Sequence, residues 1–365
     1  MDSVQIAILL LLAAVISALA TPLVSRLALA LDIVDRPNER KVSRRPDMPL
    51  LGGLAVAVGC ALALLAARLM WPEEVLSNER LFGFLVGGAV LVVMGACDDR
   101  FGLRATPKLF LQIAAAAIAF QCGFRIEYLS EPFQNYTFAL PLWFSWPLTI
   151  LWVVAVTNAV NLIDGLDGLA TGLGAIIAGT LTVICIQADQ MLGVLLGAAL
   201  LGALIGFLPF NFPPARIFLG DTGAHFVGFA LALLALEGYR KAALLTFVVP
   251  LLALAVPLLD TALSVLRRVR THRRIFDPDG LHMHHRLLRT QGSHRRAVLS
   301  LYFLTGCFSI IAVSFTKLHG YAAIALLVVV AMLTFRLLWN LGAFSVSTDD
   351  GEPAVNRMNE EGDKQ

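Results

Sequence analysis

Charge is scarce in this chain. Only 15% of its 365 residues are Asp, Glu, Lys or Arg, against 58% that are hydrophobic; this excludes an ordinary soluble domain, in which about a quarter of the residues are charged. The five cysteines, Cys60, Cys97, Cys122, Cys185 and Cys307, form no Cys-x-x-Cys pair. They read as small core residues, not as a metal knuckle or a disulfide framework. There is no Gly-x-x-x-x-Gly-Lys-Ser/Thr run and no Gly-x-Ser-x-Gly run, so ATP hydrolysis on a phosphate loop and serine-esterase chemistry are unsupported. The net charge of +2 gives no ground for a nucleic-acid partner.

What fills the chain instead is a series of apolar runs. They lie at about 4 to 30, 50 to 70, 80 to 97, 107 to 124, 141 to 162, 168 to 187, 190 to 208, 223 to 238, 241 to 263, 298 to 316 and 319 to 339, most of them near the roughly 20 residues that cross a bilayer. The expected fold is all-α, a polytopic integral membrane helical bundle of about eleven transmembrane helices. One transmembrane catalytic domain over residues 1–340 and a polar tail over 341–365 are expected, the first helix being retained because no basic residue precedes it. Alternate loops gather the basic residues: Arg36 to Arg45, then Arg100, Arg104 and Lys108, then Arg216, then Arg267 to Arg296. The positive-inside rule therefore puts the N-terminus outside and the C-terminus in the cytoplasm. The same parity places every dense polar cluster at the cytoplasmic face, in segments 32–49, 98–107, 161–168, 209–222 and 264–297.

The central cluster is Asn158-Ala-Val-Asn161-Leu-Ile-Asp164-Gly-Leu-Asp167-Gly168, two amides and two carboxylates stepping by three along an expected helical face. Carboxylates beside hydrocarbon need water, a partner or a cation, so the group reads as a functional site. Asp98-Asp99 closes another apolar run, with Lys108 following; adjacent carboxylates repel and call for a cation or a shared proton. Asn211 opens the segment that leads to Gly220-Asp221-Thr222-Gly223, where Asp221 stands just before an apolar helix. The most basic loop holds His282-Met-His284-His285-Arg286. Three histidines allow zinc, but the carboxylates elsewhere are hard oxygen donors that suit magnesium, leaving the histidines as phosphate or nucleotide contacts. Asp260 reads as a structural polar residue at a helix end. Carboxylates for a hard cation, many basic groups and a lipid phase together fit phosphoryl transfer to a lipid-embedded acceptor. An ion-coupled transporter is the alternative, though its acids would lie near the midplane and its repeats would show.

With these motifs on the page, the sequence resembles the polyprenyl-phosphate N-acetylhexosamine-1-phosphate transferases, in particular the bacterial enzymes that start enterobacterial common antigen, O-antigen or teichoic acid linkage synthesis. The matching residues are Asp35-Arg-Pro-Asn-Glu-Arg-Lys, Asp98-Asp99-Arg-Phe, Asn158-x-x-Asn161-x-x-Asp164-Gly-Leu-Asp167-Gly-Leu, Phe218-Leu-Gly-Asp221 and His282-Met-His-His285. The resemblance implies transfer of a sugar 1-phosphate from a UDP-amino sugar to undecaprenyl phosphate with release of UMP, with magnesium, or manganese in its place, as cofactor. It implies a multi-pass protein of the bacterial inner membrane with its active site facing the cytoplasm, and a homodimer is among the assemblies expected. By that resemblance Asp98, Asp99, Asp164, Asp167 and Asp221 are catalytic, with Asp221 and Asp99 on the metal. Lys108, Asn158, Asn161, Asn211, His282, His284, His285 and Arg286 bind substrate. Ser43, where relatives often carry His, and His225, where a small residue is common, depart from the pattern. Arg286-Leu287-Leu288 after the histidines lacks the acid of the UDP-N-acetylmuramoyl-pentapeptide branch, which favours UDP-N-acetylglucosamine as donor.

Overall fold

The computed structural model describes residues 2–36, 47–71, 78–130, 137–239, 248–270, 282–283, 286–288, 292–316 and 321–340. The expected tail at 341–365 lies outside the described residues. Among the described residues twelve helices succeed one another: α1 Ser3–Ala30, α2 Gly52–Met70, α3 Asn78–Phe101, α4 Ala105–Gln121, α5 Leu142–Ile163, α6 Leu169–Gln187, α7 Met191–Asn211, α8 Gly220–Tyr239, α9 Val248–Ala253, α10 Ala255–Arg270, α11 His294–Phe315 and α12 Tyr321–Asn340. Seven of them, α1, α2, α3, α5, α6, α7 and α11, are long and apolar enough to cross a membrane. The run expected at 241 to 263 falls partly on residues outside the description, and its described part is divided between α9 and α10. The chain is mostly helical, as expected for an all-α membrane protein. Two short antiparallel ribbons pair β1 Val34–Asp35 with β2 Met48–Pro49, and β3 Tyr128–Ser130 with β4 Thr137–Ala139, satisfying backbone groups between helices where no helix can.

The bundle is built round α8. Its sequence is apolar on every side, which is the pattern of a fully enclosed helix, and each residue from Thr222 to Gly238 is buried. α8 packs against α3 and α5 most extensively, and also against α2, α6 and α7. α1 lies at the periphery against α2 and α7, presenting Val4, Leu11, Leu19 and Leu23 outward as a lipid-facing stripe. Enclosing α8 fixes where its first turn lies, and the helix ends around that turn carry most of the polar clusters.

Candidate functional site

The site begins with a close approach of backbones. A Cβ added at Gly53 of α2 would lie 1.9 Å from the Cα of Gly223, and one at Gly95 of α3 would lie 2.4 Å from the Cα of Thr222. Glycine at these places lets two helices press on the first turn of α8, and Gly220 enters that turn with φ of 71°, a conformation that costs glycine nothing. The gap so closed is just wide enough for Asp99 to reach across. Its Oδ1 accepts the Asp221 N–H at 2.8 Å, and its Oδ2 accepts the Thr222 N–H at 3.0 Å and the Thr222 hydroxyl at 2.6 Å. The end of α3 thus caps the start of α8, where unpaired N–H groups favour an anion. Asp221 stands at the start of this helix, as its sequence position suggests, but the carboxylate that meets the N–H groups of the first turn is that of Asp99.

Asp221 is left to face the neighbouring helices. Its Oδ1 accepts from Asn161 Nδ2 at 2.7 Å, and its Oδ2 lies 3.4 Å from Lys108 Nζ. Lys108 also contacts Asp98, whose Oδ1 accepts the Leu103 N–H at 2.7 Å. One ammonium group therefore bridges two carboxylates from α3 and α8. The end of α5 completes the ring. The expected helical face holds for Asn158 and Asn161 only, because α5 stops at Ile163 and Asp164 closes it with φ −76° and ψ 56°. Burial, reinforced by the carboxylates of Asp221, Asp99 and Asp167, holds the Asp164 carboxyl well above the usual carboxylate range.

Further out the polar groups serve one another. Asp167 Oδ2 accepts the Ala215 N–H at 2.9 Å, tying the turn before α6 to the segment before α8. Asn158 exchanges hydrogen bonds with Gln112 of α4, at 2.7 and 3.3 Å, and donates to Val154 O at 2.8 Å. Asn211 is buried; its Oδ1 accepts from the Thr171 hydroxyl at 2.6 Å and its Nδ2 donates to Ile217 O at 3.0 Å. Both amides, expected to bind substrate, are engaged here with neighbouring helices and segments. His225 lies one turn along α8, buried, with Nδ1 2.8 Å from the carbonyl of Asp221, so it supports the turn from beneath.

The histidine cluster is divided. His284 and His285 lie outside the described residues, as does Ser43. His282, expected to meet the diphosphate, is 5% exposed and turned inward in this structure, its Nδ1 2.9 Å from Oδ2 of Asp260. Asp260 is correspondingly not at a helix end but in the middle of α10. Arg286 is half-buried, its N–H donating to His282 O at 3.1 Å. The first loop is fastened by Arg100, which donates to Asp32 O at 2.9 Å, and by Arg36, 2.6 Å from Asp32 Oδ1; residues 37–46 lie outside the described residues.

The structure thus joins Asp98, Asp99, Lys108, Asn161, Asp164 and Asp221 at one end of the bundle, with Asp167 beside them. Sequence reasoning missed Gln112, Thr222 and Tyr302, whose hydroxyl donates to Gly168 O at 2.5 Å. Gln112 had a signal: it stands one helical turn after Lys108, the only amide between that lysine and the end of an Ala-rich helix except Gln121. Tyr302 had none, since a single tyrosine in an apolar helix is ordinary.

Among the described residues no three of His, Cys, Asp and Glu form a ready-made metal shell. The donor set nevertheless fits a hard cation that takes one or two protein carboxylates and completes its octahedron with phosphate and water. Five carboxylates, Asp98, Asp99, Asp164, Asp167 and Asp221, share this end with one lysine, Lys108.

Residues 81–239, which carry all of these groups, match the family model described as glycosyl transferase family 4. Over 294 residues, 80% of either chain, the sequence is 38% identical to a probable undecaprenyl-phosphate N-acetylglucosaminyl 1-phosphate transferase of Bacillus subtilis (strain 168). It is 37% identical to a decaprenyl-phosphate N-acetylglucosaminephosphotransferase of Mycobacterium leprae (strain TN), over 83% of this chain and 81% of that one. A phospho-N-acetylmuramoyl-pentapeptide-transferase of Latilactobacillus sakei subsp. sakei (strain 23K) is 31% identical over 66% of this chain and 77% of its own.

Proposed function

The chain belongs to the polyprenyl-phosphate N-acetylhexosamine-1-phosphate transferases of glycosyl transferase family 4, and we propose that it transfers N-acetylglucosamine 1-phosphate from UDP-N-acetylglucosamine to undecaprenyl phosphate, releasing UMP. The observation that carries this reading is the convergence of Asp98, Lys108, Asn161, Asp164 and Asp221 on one end of a lipid-facing bundle. The donor is chosen because relatives named for N-acetylglucosamine share more of this sequence than the pentapeptide-transferase does, and because Arg286-Leu287-Leu288 carries no acid.

A phosphate monoester has a second pKa near 6, so the acceptor is largely a dianion at neutral pH and is nucleophilic without a strong base. An acceptor oxygen attacks the phosphorus that bears the sugar; a new P–O bond forms, the bond to the bridging oxygen breaks, and UMP leaves with the electron pair. The obstacle is repulsion between two anions. Lys108 already spans Asp98 and Asp221 and is placed to exchange one of them for a phosphate oxygen. Asn161 holds Asp221 in a single orientation, and Asp99 fixes the turn from which Asp221 projects. Asp221 would hold magnesium; Asp99, with both oxygens engaged by α8, serves as a positioning group and not as a second ligand. When bound, the cation supplies charge neutralisation of the diphosphate. The reaction starts a lipid-linked saccharide at the cytoplasmic face of a bacterial inner membrane.

The test is an assay of purified protein in nanodiscs with undecaprenyl phosphate and a panel of UDP-sugars, following UMP and the lipid product by mass spectrometry. UDP-N-acetylglucosamine is expected to be the preferred donor. Turnover of UDP-N-acetylmuramoyl-pentapeptide alone would move the protein to the other branch.

A further inference from the structure

We propose that Asp260 and His282 form a buried clasp whose task is to position the turn that begins at His282 and carries Arg286 against the bundle; the inference rests on the UDP-sugar transfer proposed above and on the substrate contact that the family resemblance implies for this turn. Asp260 is 1% exposed and lies in the interior of α10, 22 residues before His282. Both of its oxygens are committed to that one short segment. Oδ2 is 2.9 Å from His282 Nδ1, and Oδ1 accepts the Met283 N–H at 2.7 Å. A carboxylate held by one side chain and the adjoining main-chain N–H fixes direction as well as place.

The segment it fixes is the start of a helical turn, since the Arg286 N–H donates to His282 O at 3.1 Å; Asp260 supplies from another helix the acceptor that a capping residue would supply from within. Met283 and Leu287 are buried in the core on the same side. Arg267, Arg268, Arg270, Arg273 and Arg274 precede this turn in the chain, and Arg286 and Arg289 follow within or just after it. Like charges in one connection repel and favour extension, so a stretch this basic needs a fixed attachment if it is to present its groups in a single arrangement. An ionised carboxylate only accepts hydrogen bonds, so Nδ1 of His282 carries the hydrogen. His282 therefore acts through Nδ1 toward the core, and Asp260 acts on the reaction through His282; both are positioning residues.

The experiment uses the full-length protein in nanodiscs and compares Asp260→Ala, His282→Ala, Asp260→Asn, His282→Asn, His282→Gln and Asp260→Ala/His282→Ala. Loss of a partner that orients a functional group commonly costs about 10- to 100-fold, and kcat/KM for the UDP-sugar should fall by about that factor in Asp260→Ala. KM for undecaprenyl phosphate should stay within about 2-fold of wild type. The double variant should be no worse than either alanine single, because the two side chains act as one unit. His282→Asn, whose amide nitrogen replaces Nδ1, should lose clearly less than His282→Gln, whose amide replaces Nε2. Selective ¹⁵N labelling of the imidazoles should show one Nδ1-protonated ring that disappears in His282→Gln and changes tautomer in Asp260→Asn, where the amide can donate to Nδ1.

Additive losses in the double variant, the reverse order of His282→Asn and His282→Gln, an Nε2-protonated His282 in wild type, or equal changes in KM for both substrates would each overturn the clasp. If wild-type protein turned over no UDP-sugar, the proposed reaction would fall while the clasp would still be decided, by the imidazole signals and by whether thermal destabilisation in the double variant matches that of the singles.

Discussion

α3 and α8 lie side by side, and their two ends handle charge in opposite ways. At one end Arg80 of α3 lies 3.5 Å from Glu237 of α8, a carboxylate that is 2% exposed. There a carboxylate meets a guanidinium, and the helices around them close. At the other end Asp98, Asp99 and Asp221 come from the same two helices, joined by Asp164 and Asp167, and among the described residues Lys108 alone bridges Asp98 and Asp221. Balance at the first end makes a structural ion pair; the surplus of carboxylate at the second is what a site for a cation and a diphosphate requires. The same helices and the same hydrophobic surroundings carry both, so burial of charge does not mark function here. Uncompensated charge does.

The largest expected effect lies at the unbalanced end. Asp221→Asn keeps the shape of the side chain and its contact with Asn161 but removes the charge facing Lys108. Turnover should fall about 100-fold or more, as for removal of a principal electrostatic group, and any residual activity should need more magnesium. Titrating magnesium against turnover, with folding checked by gel filtration, decides it. Wild-type activity with wild-type magnesium dependence would remove Asp221 from the metal.

Glu237→Gln should do the reverse. It removes the charge that faces a partly buried guanidinium, which should cost about 1–3 kcal/mol of stability, while turnover per folded molecule should stay within about 2-fold because the pair is at the far end of α8. Thermal unfolding in detergent beside a normalised turnover assay separates the two. A large loss of turnover with unchanged melting would erase the contrast between the ends.

The surplus should also be visible in pH dependence. Asp164 is held well above the usual carboxylate range by burial and by Asp221, Asp99 and Asp167, whereas an unfolded aspartate titrates near 3.9. The folded state therefore binds the proton more tightly, and stability without divalent cations should fall as pH rises from about 4 through the folded pKa. A divalent cation favours the ionised form and should flatten the decline, and Asp164→Asn should remove its own share. Melting temperatures with chelator and with magnesium, measured across that range, test the sign. Rising stability with pH in chelator would show that the surplus charge is compensated after all.

How much of this was legible in the sequence follows from the same contrast. Apolar runs located the helices well, because a segment without charge in a bilayer has few alternatives. The acidic clusters were found because acids beside hydrocarbon stand out. Which carboxylate faces which partner was not legible. Asp99 and Asp221 are 122 residues apart, and only the close glycine contacts at Gly53 and Gly95 make Asp99 the cap and leave Asp221 to Asn161 and Lys108. For Asn211 and Asn158 the sequence shows an amide near a site but not whether it points inward. Asp260 and His282 looked unrelated because their pairing depends on how a long basic connection returns to α10.

The smallest expected effect concerns Tyr302, which links α11 to the turn that carries Asp164 and Asp167. Its hydroxyl donates to Gly168 O at 2.5 Å, and its ring lies so close to α6 that a Cβ at Gly172 would meet it at 2.0 Å. Tyr302→Phe keeps the ring and removes only the hydroxyl. Gly168 O still accepts the Gly172 N–H at 2.9 Å, so no buried carbonyl is left unpaired, and the loss should be that of an ordinary hydrogen bond, about 1 kcal/mol. In kcat/KM that corresponds to about 5-fold at most, with magnesium dependence unchanged, because the bond supports the turn without touching Asp221. Steady-state kinetics at several magnesium concentrations reads both quantities. If Tyr302→Phe shifted the magnesium requirement as Asp221→Asn does, the Asp164–Asp167 turn would belong to the cation site itself, and the surplus charge at this end would be shared between the turn and α8 instead of resting on Asp221.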